Sequence, residues 1–476
     1  MANRRDQLQA YQFMMQRVVS ALVVRETDPE LTPLRRGVGA AFAGVMIAVL
    51  VAAGFGVYGV FTGVGGNAWQ AEGSVVVERE TGASYVYRQG ALQPTLNFTS
   101  AKLLAGKKDV KVHRVSGKSL AGVPRRAVVG IPGAPDSLPE AQFALKDGWT
   151  MCSVPGRNAA GGPITTSTLF VGGSLAGGLP LEQRAVLARD AKDHMNYLIW
   201  RNHRYRIVGN PDDTVKPEQV IRAIFGPQAV VLDAGTAWLN GLPAGQDIAP
   251  ITIDDFGAPS TVLSGHRVGD LVHHPIGDRE QYYLVRSDGL APLTELQVRI
   301  VRGQYPVEPA AIAPSVANSA PVTTALSAPS GESAKPADVP ELAPVPAERR
   351  ATLCARTLDA ATAPEITLGG DAGVLDAGIA TSAETAEGTK LADRVLVPAG
   401  GVVVVRAKAS ATDPAGSYHI VTDLGLRFPV PSEAVLETLG FSPADAVSMP
   451  AELVQRIPAG PTLDPAAALQ TASALP

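Results

Sequence analysis

Val38-Gly-Ala-Ala-Phe-Ala-Gly-Val-Met-Ile-Ala-Val-Leu-Val-Ala-Ala-Gly-Phe-Gly-Val-Tyr-Gly-Val-Phe61 carries no charge and is almost entirely Ala, Val, Gly, Leu, Ile, Met and Phe. A helix crossing a hydrocarbon core needs about 20 predominantly apolar residues, because every backbone N–H and C=O must be satisfied within the segment once water is gone. This stretch meets that length, and no Asp, Glu, Lys or Arg occurs anywhere from Gly37 to Ala71. The next most apolar run, Gly401-Val-Val-Val-Val405, is strand-sized and ends at Arg406. The sequence therefore predicts one transmembrane helix, assigned to 37–63.

The competing reading is a cleaved signal peptide. Signal h-regions are roughly 7 to 15 residues long and follow a short basic segment, whereas 36 residues precede this run and only a weak small-residue site stands near Ala68. Arg35 and Arg36 abut the N-terminal end, joined by Arg4, Arg5, Arg17 and Arg25, while the far side opens with Gly-rich sequence, Trp69 and Glu72. The positive-inside rule puts the N-terminus in the cytoplasm and everything from Glu72 onward outside. Within the span, Gly39/Ala43, Ala40/Gly44, Ala52/Gly56 and Gly59/Gly63 are small-x-x-x-small pairs that let another helix approach closely. Gly and Ala are also frequent throughout the chain, so composition alone offers a second account of the pairs.

A net charge of −4 with 18% charged residues excludes a nucleic-acid binder or an acidic tail protein. The 48 Gly and 38 Pro with 5% aromatics indicate a mainly β exported region rich in turns. Cys152 and Cys354 are the two cysteines, and both fall on the exported side. An even count in an oxidising compartment favours a disulfide between them, tying two halves of a central domain; a bond between protomers is the alternative.

Asn3 to Val24 reads as an amphipathic helix that stops at Asp28-Pro29, with Leu8, Tyr11, Met15, Val18 and Leu22 at alternating three- and four-residue steps. A stripe on so short a cytoplasmic segment must find the membrane surface or a partner; the absence of lysines on it favours the partner. Beyond the membrane a pattern recurs four times: an aromatic strand, a tight turn, an apolar-Pro step and a short helix closed by Gly. The copies are Tyr85 to Pro94 with a helix ending at Gly106, Tyr197 to Ile207 with a helix from Pro217 to Phe225 and then Gly226, Tyr283 to Pro292 with Thr294 as cap and Gly303 as stop, and Tyr418 to Pro429 with Ser432 as cap and Gly440 closing. Each unit is too small to bury a core alone, so the units must pack on one another or on a common centre. Gln304 to Arg349 and Ala360 to Gly388 are small-residue and Pro-rich, and read as linkers or surface loops.

Catalytic motifs fail on inspection. Gly117-Lys118-Ser119 supplies the end of a phosphate-binding loop, but Val112 stands where its first Gly belongs, and the run reads as a turn. Gly172-Gly-Ser174 lacks the closing Gly of a nucleophile elbow. The seven histidines show no metal-ligand spacing, His273 and His274 point to opposite faces of a strand, and Asp212-Asp213 and Asp254-Asp255 are turn residues. No motif calls for a cofactor, a metal or a catalytic residue.

Several motifs nevertheless resemble one family in the same order: Arg4-Arg5-Asp6 with Ala10-Tyr11-x-Phe13, Pro33-Leu34-Arg35, Val75 to Tyr87, Gly130-Ile-Pro-Gly-Ala-Pro-Asp-Ser-Leu-Pro139, Ala237-Trp-Leu-Asn-Gly-Leu-Pro243, Gln281 to Pro292, Val421-Thr-Asp-Leu-Gly425 and Pro458-Ala-Gly-Pro-Thr-Leu-Asp-Pro465. The chain resembles EccB, the single-span core component of type VII (ESX) secretion systems of actinobacteria, from end to end. The resemblance implies a mainly β (α+β) protein with short helices: one transmembrane helix, then an extracytoplasmic central domain with four repeat domains similar to phage cell-wall-binding modules. It further implies an inner-membrane secretion complex shared with EccC, EccD and EccE, self-association of the exported region, and two rival roles, ATP hydrolysis and peptidoglycan binding. The expected division is a cytoplasmic helix to 36, the span, stalk and repeat 1 over 64–127, central domain over 128–195, repeat 2 over 196–261 and repeat 3 over 262–303. Linker with the second central part then covers 304–395, repeat 4 covers 396–440, and 441–476 returns to the central domain.

Overall fold

The computed structural model describes residues 3–25, 33–62, 67–328, 330–345 and 351–472. Helix α1 (Arg4–Val24) starts where the Asn3 N–H donates to Asp6 Oδ2 and ends at Arg25, whose φ of 59° breaks the helical path. Asp28-Pro29, the expected stop, lies outside the described residues. Helix α2 (Pro33–Thr62) follows, and its apolar window Gly37–Tyr58 is 22 residues long with none of it buried. At 1.5 Å per residue that window measures about 33 Å, enough for a hydrocarbon core of about 30 Å.

After α2 the described residues build five sheets. The first holds β1 (Val75–Glu78), β2 (Ser84–Arg88) and β3 (Ala91–Thr95), then helix α3 (Phe98–Ala105) and β4 (Val112–Val115). β1, β2 and β3 form an antiparallel meander, and β4 returns parallel to β1, giving the order β3-β2-β1-β4. One-turn helix α4 (Gly117–Leu120) ends this unit. The central sheet then begins with β5 (Trp149–Arg157), β6 (Pro163–Phe170) and β7 (Leu179–Pro180). Repeat 2 consists of β8 (Val186–Asp190), β9 (Asn196–Trp200), β10 (His203–Ile207), α5 (Pro217–Phe225), β11 (Val231–Ala234) and α6 (Thr236–Asn240). Repeat 3 has β12 (Leu271–Ile276), β13 (Arg279–Val285), β14 (Leu290–Leu293), α7 (Glu295–Gln304), β15 (Ala310–Ala311) and α8 (Pro314–Ser319). The chain re-enters the central sheet with β16 (Leu353–Thr357), β17 (Glu365–Leu368), β18 (Ile379–Ala380) and β19 (Arg394–Leu396). Repeat 4 closes the series with β20 (Val402–Lys408), β21 (Ser417–Thr422), β22 (Arg427–Val430), α9 (Glu433–Thr438), β23 (Val447–Pro450) and α10 (Ala451–Val454).

All four repeats share the order third-second-first-last, with the last strand parallel to the first. Each is then completed by a segment that the sequence pattern did not reveal. After the one-turn helix the chain passes a proline and lies parallel to the third strand: Leu92, Arg204, Leu290 and Arg427 donate their N–H to the carbonyls of Pro124, Pro243, Pro321 and Pro458 at 2.7–3.0 Å. Proline lacks an N–H but accepts through its carbonyl, so it suits an edge where only that group faces the ladder. These arms blunt edges that would otherwise expose unpaired backbone.

The repeat boundaries move accordingly. β8, expected in the central part, pairs with β9 and β11 inside repeat 2. β15 and β23 extend repeats 3 and 4 past 303 and 440. Gly303 does not stop a helix, because α7 continues to Gln304 and Tyr305 caps it. Residues 128–138 dock on repeat 1, where Phe98 and Thr99 donate their N–H to Asp136 O, rather than on the central sheet. The tail divides: Ala360 and Ala392 of the second central part donate their N–H to Ser448 O and Arg456 O, and Leu453, Val454 and Ile457 join the central core as expected, whereas α11 (Pro465–Ala468) contacts α3 and Gly130 N–H donates to Gln470 O, so the last residues lie on repeat 1. The low-complexity stretch after Gln304 is a strap rather than a linker, hydrogen-bonded by backbone to both repeats it crosses: Leu290 to Pro321, Leu296 to Ala337, Gln246 to Ser333 and Ala185 to Glu341.

Packing follows the two-residue period of the strands. In repeat 4, Val403 and Val405 face the core of the central sheet while Val402 and Val404 face the core shared with repeat 1. The four consecutive valines are thus a strand buried on both faces, each side chain contributing about 1.5–3 kcal/mol of transfer free energy. Repeat 2 divides likewise, with Val186, Ala188, Tyr197 and Ile199 toward the central sheet and Leu187, Leu198, Tyr205 and Ile207 toward repeat 3. Three cores shared in this way set the order repeat 3, repeat 2, central sheet, repeat 4, repeat 1.

Candidate functional site

The candidate surfaces and joints can be built from their residues. On α1 the side chains of Leu8, Tyr11, Met15, Val18 and Leu22 are 47–78% exposed. Phe13, Met14 and Val23, off that stripe, are as exposed, so the apolar surface wraps most of the helix instead of forming one narrow face. On α2, Gly39, Ala40, Ala43, Gly44, Ala52 and Gly56 are exposed, and a Cβ built on Gly39, Gly44 or Gly56 would meet nothing within 4 Å. Gly59 lies in the same helix, and Gly63 falls outside the described residues. Both helices therefore present apolar surface with no cover from the rest of the described chain.

The body that follows α2 is joined at several places, three of which can be built from their residues. Cys152 on β5 and Cys354 on β16 are direct cross-strand partners and form a disulfide within the chain, 202 residues apart in sequence. Since repeats 2 and 3 lie between them, the bond ties the two halves of the central sheet. It packs with Leu375 under a short turn on the face away from the main core. Repeat 2 meets the central sheet at the start of α6, where Gly235 N–H donates to Ser153 Oγ at 2.9 Å and Trp238 N–H to Ser167 Oγ at 3.2 Å. Both hydroxyls satisfy helix-start donors that would otherwise be buried unpaired. A Cβ on Gly235 would sit 2.1 Å from Ser167 Oγ, so only glycine allows the approach. Repeat 1 meets repeat 4 where Lys102 Nζ on α3 donates to Leu439 O at 3.2 Å, placing a cation at the C-terminal end of α9. Burial holds the Lys102 pKa below the usual lysine value.

The residues weighed for chemistry are structural. Gly117-Lys118-Ser119 forms the one-turn helix α4 after β4, and the Gly117 N–H donates to Glu80 Oε2 at 2.9 Å. A carboxylate thus occupies the donor that a phosphate loop would offer. His273 stacks on Tyr282 and meets Glu280, while His274 on the opposite face is buried against Tyr283. Asp213 and Asp255 have φ of 59° and 57°, as turn residues do. Among the described residues no group of three His, Cys, Asp or Glu side chains is arranged to hold a metal ion.

Comparison with known proteins places this architecture. Residues 2–476 match the family described as "Type VII secretion system ESX-1, transport TM domain B". The "ESX-3 secretion system ATPase EccB3" of Mycolicibacterium smegmatis is 29% identical over 479 residues, covering 96% of this chain and 89% of that protein. The "ESX-2 secretion system ATPase EccB2" of Mycobacterium tuberculosis is 27% identical, covering 85% and 83%. Among solved structures, a chain of an intact ESX-5 inner membrane complex superposes with a TM-score of 0.63 at 25% identity, covering 100% of this chain and 96% of that one. The EccB3 dimer from the ESX-3 core complex gives 0.60 at 25% identity, covering 83% and 100%. With one apolar helix of membrane-spanning length, four like repeats on a central sheet, and a match across its whole length, the chain belongs to the EccB family of type VII (ESX) secretion components.

Proposed function

We propose that this chain is a scaffold of an ESX secretion complex, anchored by α2 with its N-terminus in the cytoplasm and its repeats outside. The observation that carries the reading is the uncovered apolar surface of both helices, joined to a body whose parts are braced by a disulfide and by buried hydrogen bonds. α1 docks on a cytoplasmic region of a membrane partner, and the small-residue pairs of α2, Gly39/Ala43, Ala40/Gly44 and Ala52/Gly56, receive a neighbouring helix. EccC, EccD and EccE are the partners this family membership suggests, and the solved dimer of a relative supports self-association of the exported body. The arginines before the span support the orientation.

ATP hydrolysis, which the relatives' names carry, is not favoured, because the Gly-Lys-Ser turn nearest to a phosphate loop is already occupied by Glu80. Topology is tested with Ala10→Cys and Asp109→Cys in cells, where the native cysteines are bonded to each other. A membrane-impermeant maleimide should label the second variant and not the first. Labelling of the first alone refutes the orientation.

A further inference from the structure

A cleft of about 600 Å³ opens between repeat 2 and the central sheet. Pro155 and Pro163 of the β5–β6 hairpin form one wall, Ala237 and Leu391 contribute apolar floor, and the rim carries three cations and three carboxylates. Arg189 is held by Asp233, with Nη2 and Nε at 2.7 and 3.1 Å from one carboxylate oxygen. Lys192 meets Glu384 at 3.1 Å, and Lys390 pairs with the same carboxylate. Asp393 is the group left over. Its Oδ2 accepts the Ser167 N–H at 2.6 Å, and among the described residues it has no cationic partner. Burial, with no neighbouring charge to offset it, raises its pKa above the usual carboxylate range. Just behind the cleft, Asp190 is also without an ion pair among the described residues, and is satisfied by Lys192 N–H and Thr236 Oγ.

The lining narrows the class of ligand. No Phe, Tyr or Trp is among the lining residues, and the exposed His194 ring is the only aromatic surface they offer a sugar ring or a base. Arg189 already holds Asp233, and Lys192 and Lys390 share Glu384, so each cation of the rim has a carboxylate partner while Asp393 has no cation among the described residues. What the cleft lacks is positive charge beside Asp393, and an apolar approach suits an alkyl stem that buries its methylenes behind a charged head. The volume exceeds one side chain and falls in the range of built ligand sites. We propose that this cleft binds a basic side chain, lysine or arginine, borne on an extended polypeptide, with Asp393 as its counter-ion.

Saturation-transfer NMR on the full chain in detergent tests this with N-acetyl-argininamide and N-acetyl-lysinamide. The neutral isostere N-acetyl-citrullinamide and the free diamine putrescine serve as comparison arms. The cationic amides should give signals that drop about tenfold for the citrulline probe and for Asp393→Asn, which keeps an oxygen to accept the Ser167 N–H. Ser382→Arg, at the exposed rim, leaves Asp393 in place and should suppress binding by supplying an internal cation. No signal from the cationic amides, equal signal from citrulline, or full signal in both variants overturns the proposal. Putrescine binding equal to that of the amides overturns its peptide part.

Discussion

Gly303 of α7 lies directly against Ala223 of α5, so close that a Cβ on the glycine would stand 2.2 Å from the alanine Cβ. Real Cβ atoms do not approach so closely, and the two helices of repeats 2 and 3 can cross at this distance only because one of them carries no side chain there. Arg299 adds a contact from its guanidinium to Ile224 O at the same crossing. Gly303→Ala therefore separates the helices despite its better helix propensity, and should cost about 1–3 kcal/mol, the range for overpacking. Ala223→Gly in the same chain should recover most of that loss, measured as a double-mutant cycle in urea. Independent, additive effects of the two changes would contradict the contact.

The disulfide gives a second outcome. Closing a loop of 202 residues stabilises by about 5 kcal/mol in the chain-entropy picture, an upper value that native strain reduces. Cys152→Ala with Cys354→Ala should lower the denaturation midpoint and raise amide exchange in β5, β16 and β17. The repeat sheets, whose own ladders do not involve the bond, should exchange nearly as before. Non-reducing gels of the unmodified chain should show a compact monomer, since the bond closes within one chain.

His419 sets a dependence on pH. It is buried on β21, its Nε2 lies 3.0 Å from Ser417 Oγ and its Nδ1 has no hydrogen-bond partner among the described residues. Burial first, and the nearby Arg427 charge second, pull its pKa down to about 4 from 6.5. Between those values the unfolded chain takes up a proton that the folded chain refuses, so stability falls as pH drops from about 6.5 to about 4 and is unaffected by this group above 6.5. Denaturation at pH 7.5, 6, 5 and 4 should show a shallower decline for His419→Gln than for the unmodified chain. Parallel declines would remove His419 as a source of the slope.

The apolar wrap of α1 yields a fourth expectation. Leu8→Glu with Leu22→Glu should leave the repeats and central sheet folded, because no described residue of that body packs on them, yet abolish recovery of the chain in a detergent-stable membrane complex. Recovery undiminished by both changes would mean that the helix docks elsewhere or not at all.

Much of this fold was legible because its signals are local. The transmembrane run needs only length and apolar composition, and three of the four repeat helices end at the glycine the pattern marks: Gly106 and Gly226 as capping residues and Gly440 just after the cap Leu439, all three with positive φ. The fourth misled because Gly303 answers to a neighbour 80 residues upstream, not to its own helix. The closing arms were missed for a related reason: they add one or two backbone pairs each, too short for an alternating pattern, though the prolines at 124, 243, 321 and 458 mark them once aligned. The strap of repeats 2 and 3 has a low-complexity composition because it is held by main-chain hydrogen bonds, which no side-chain periodicity announces. The joint of Ser153 and Ser167 with α6 was invisible for want of any motif linking residues so far apart, whereas the family resemblance was carried in part by Ala237 to Pro243, the segment that docks there.

The central claim is that the chain serves as an anchored structural subunit, and native purification tests it most directly. Tagged chain extracted from its own membranes in mild detergent should migrate on native gels as one large complex, with EccC, EccD and EccE identified by mass spectrometry in fixed ratio to it. Release of a free chain, with ATP turnover proportional to its amount and abolished by a single substitution in it, would contradict the account.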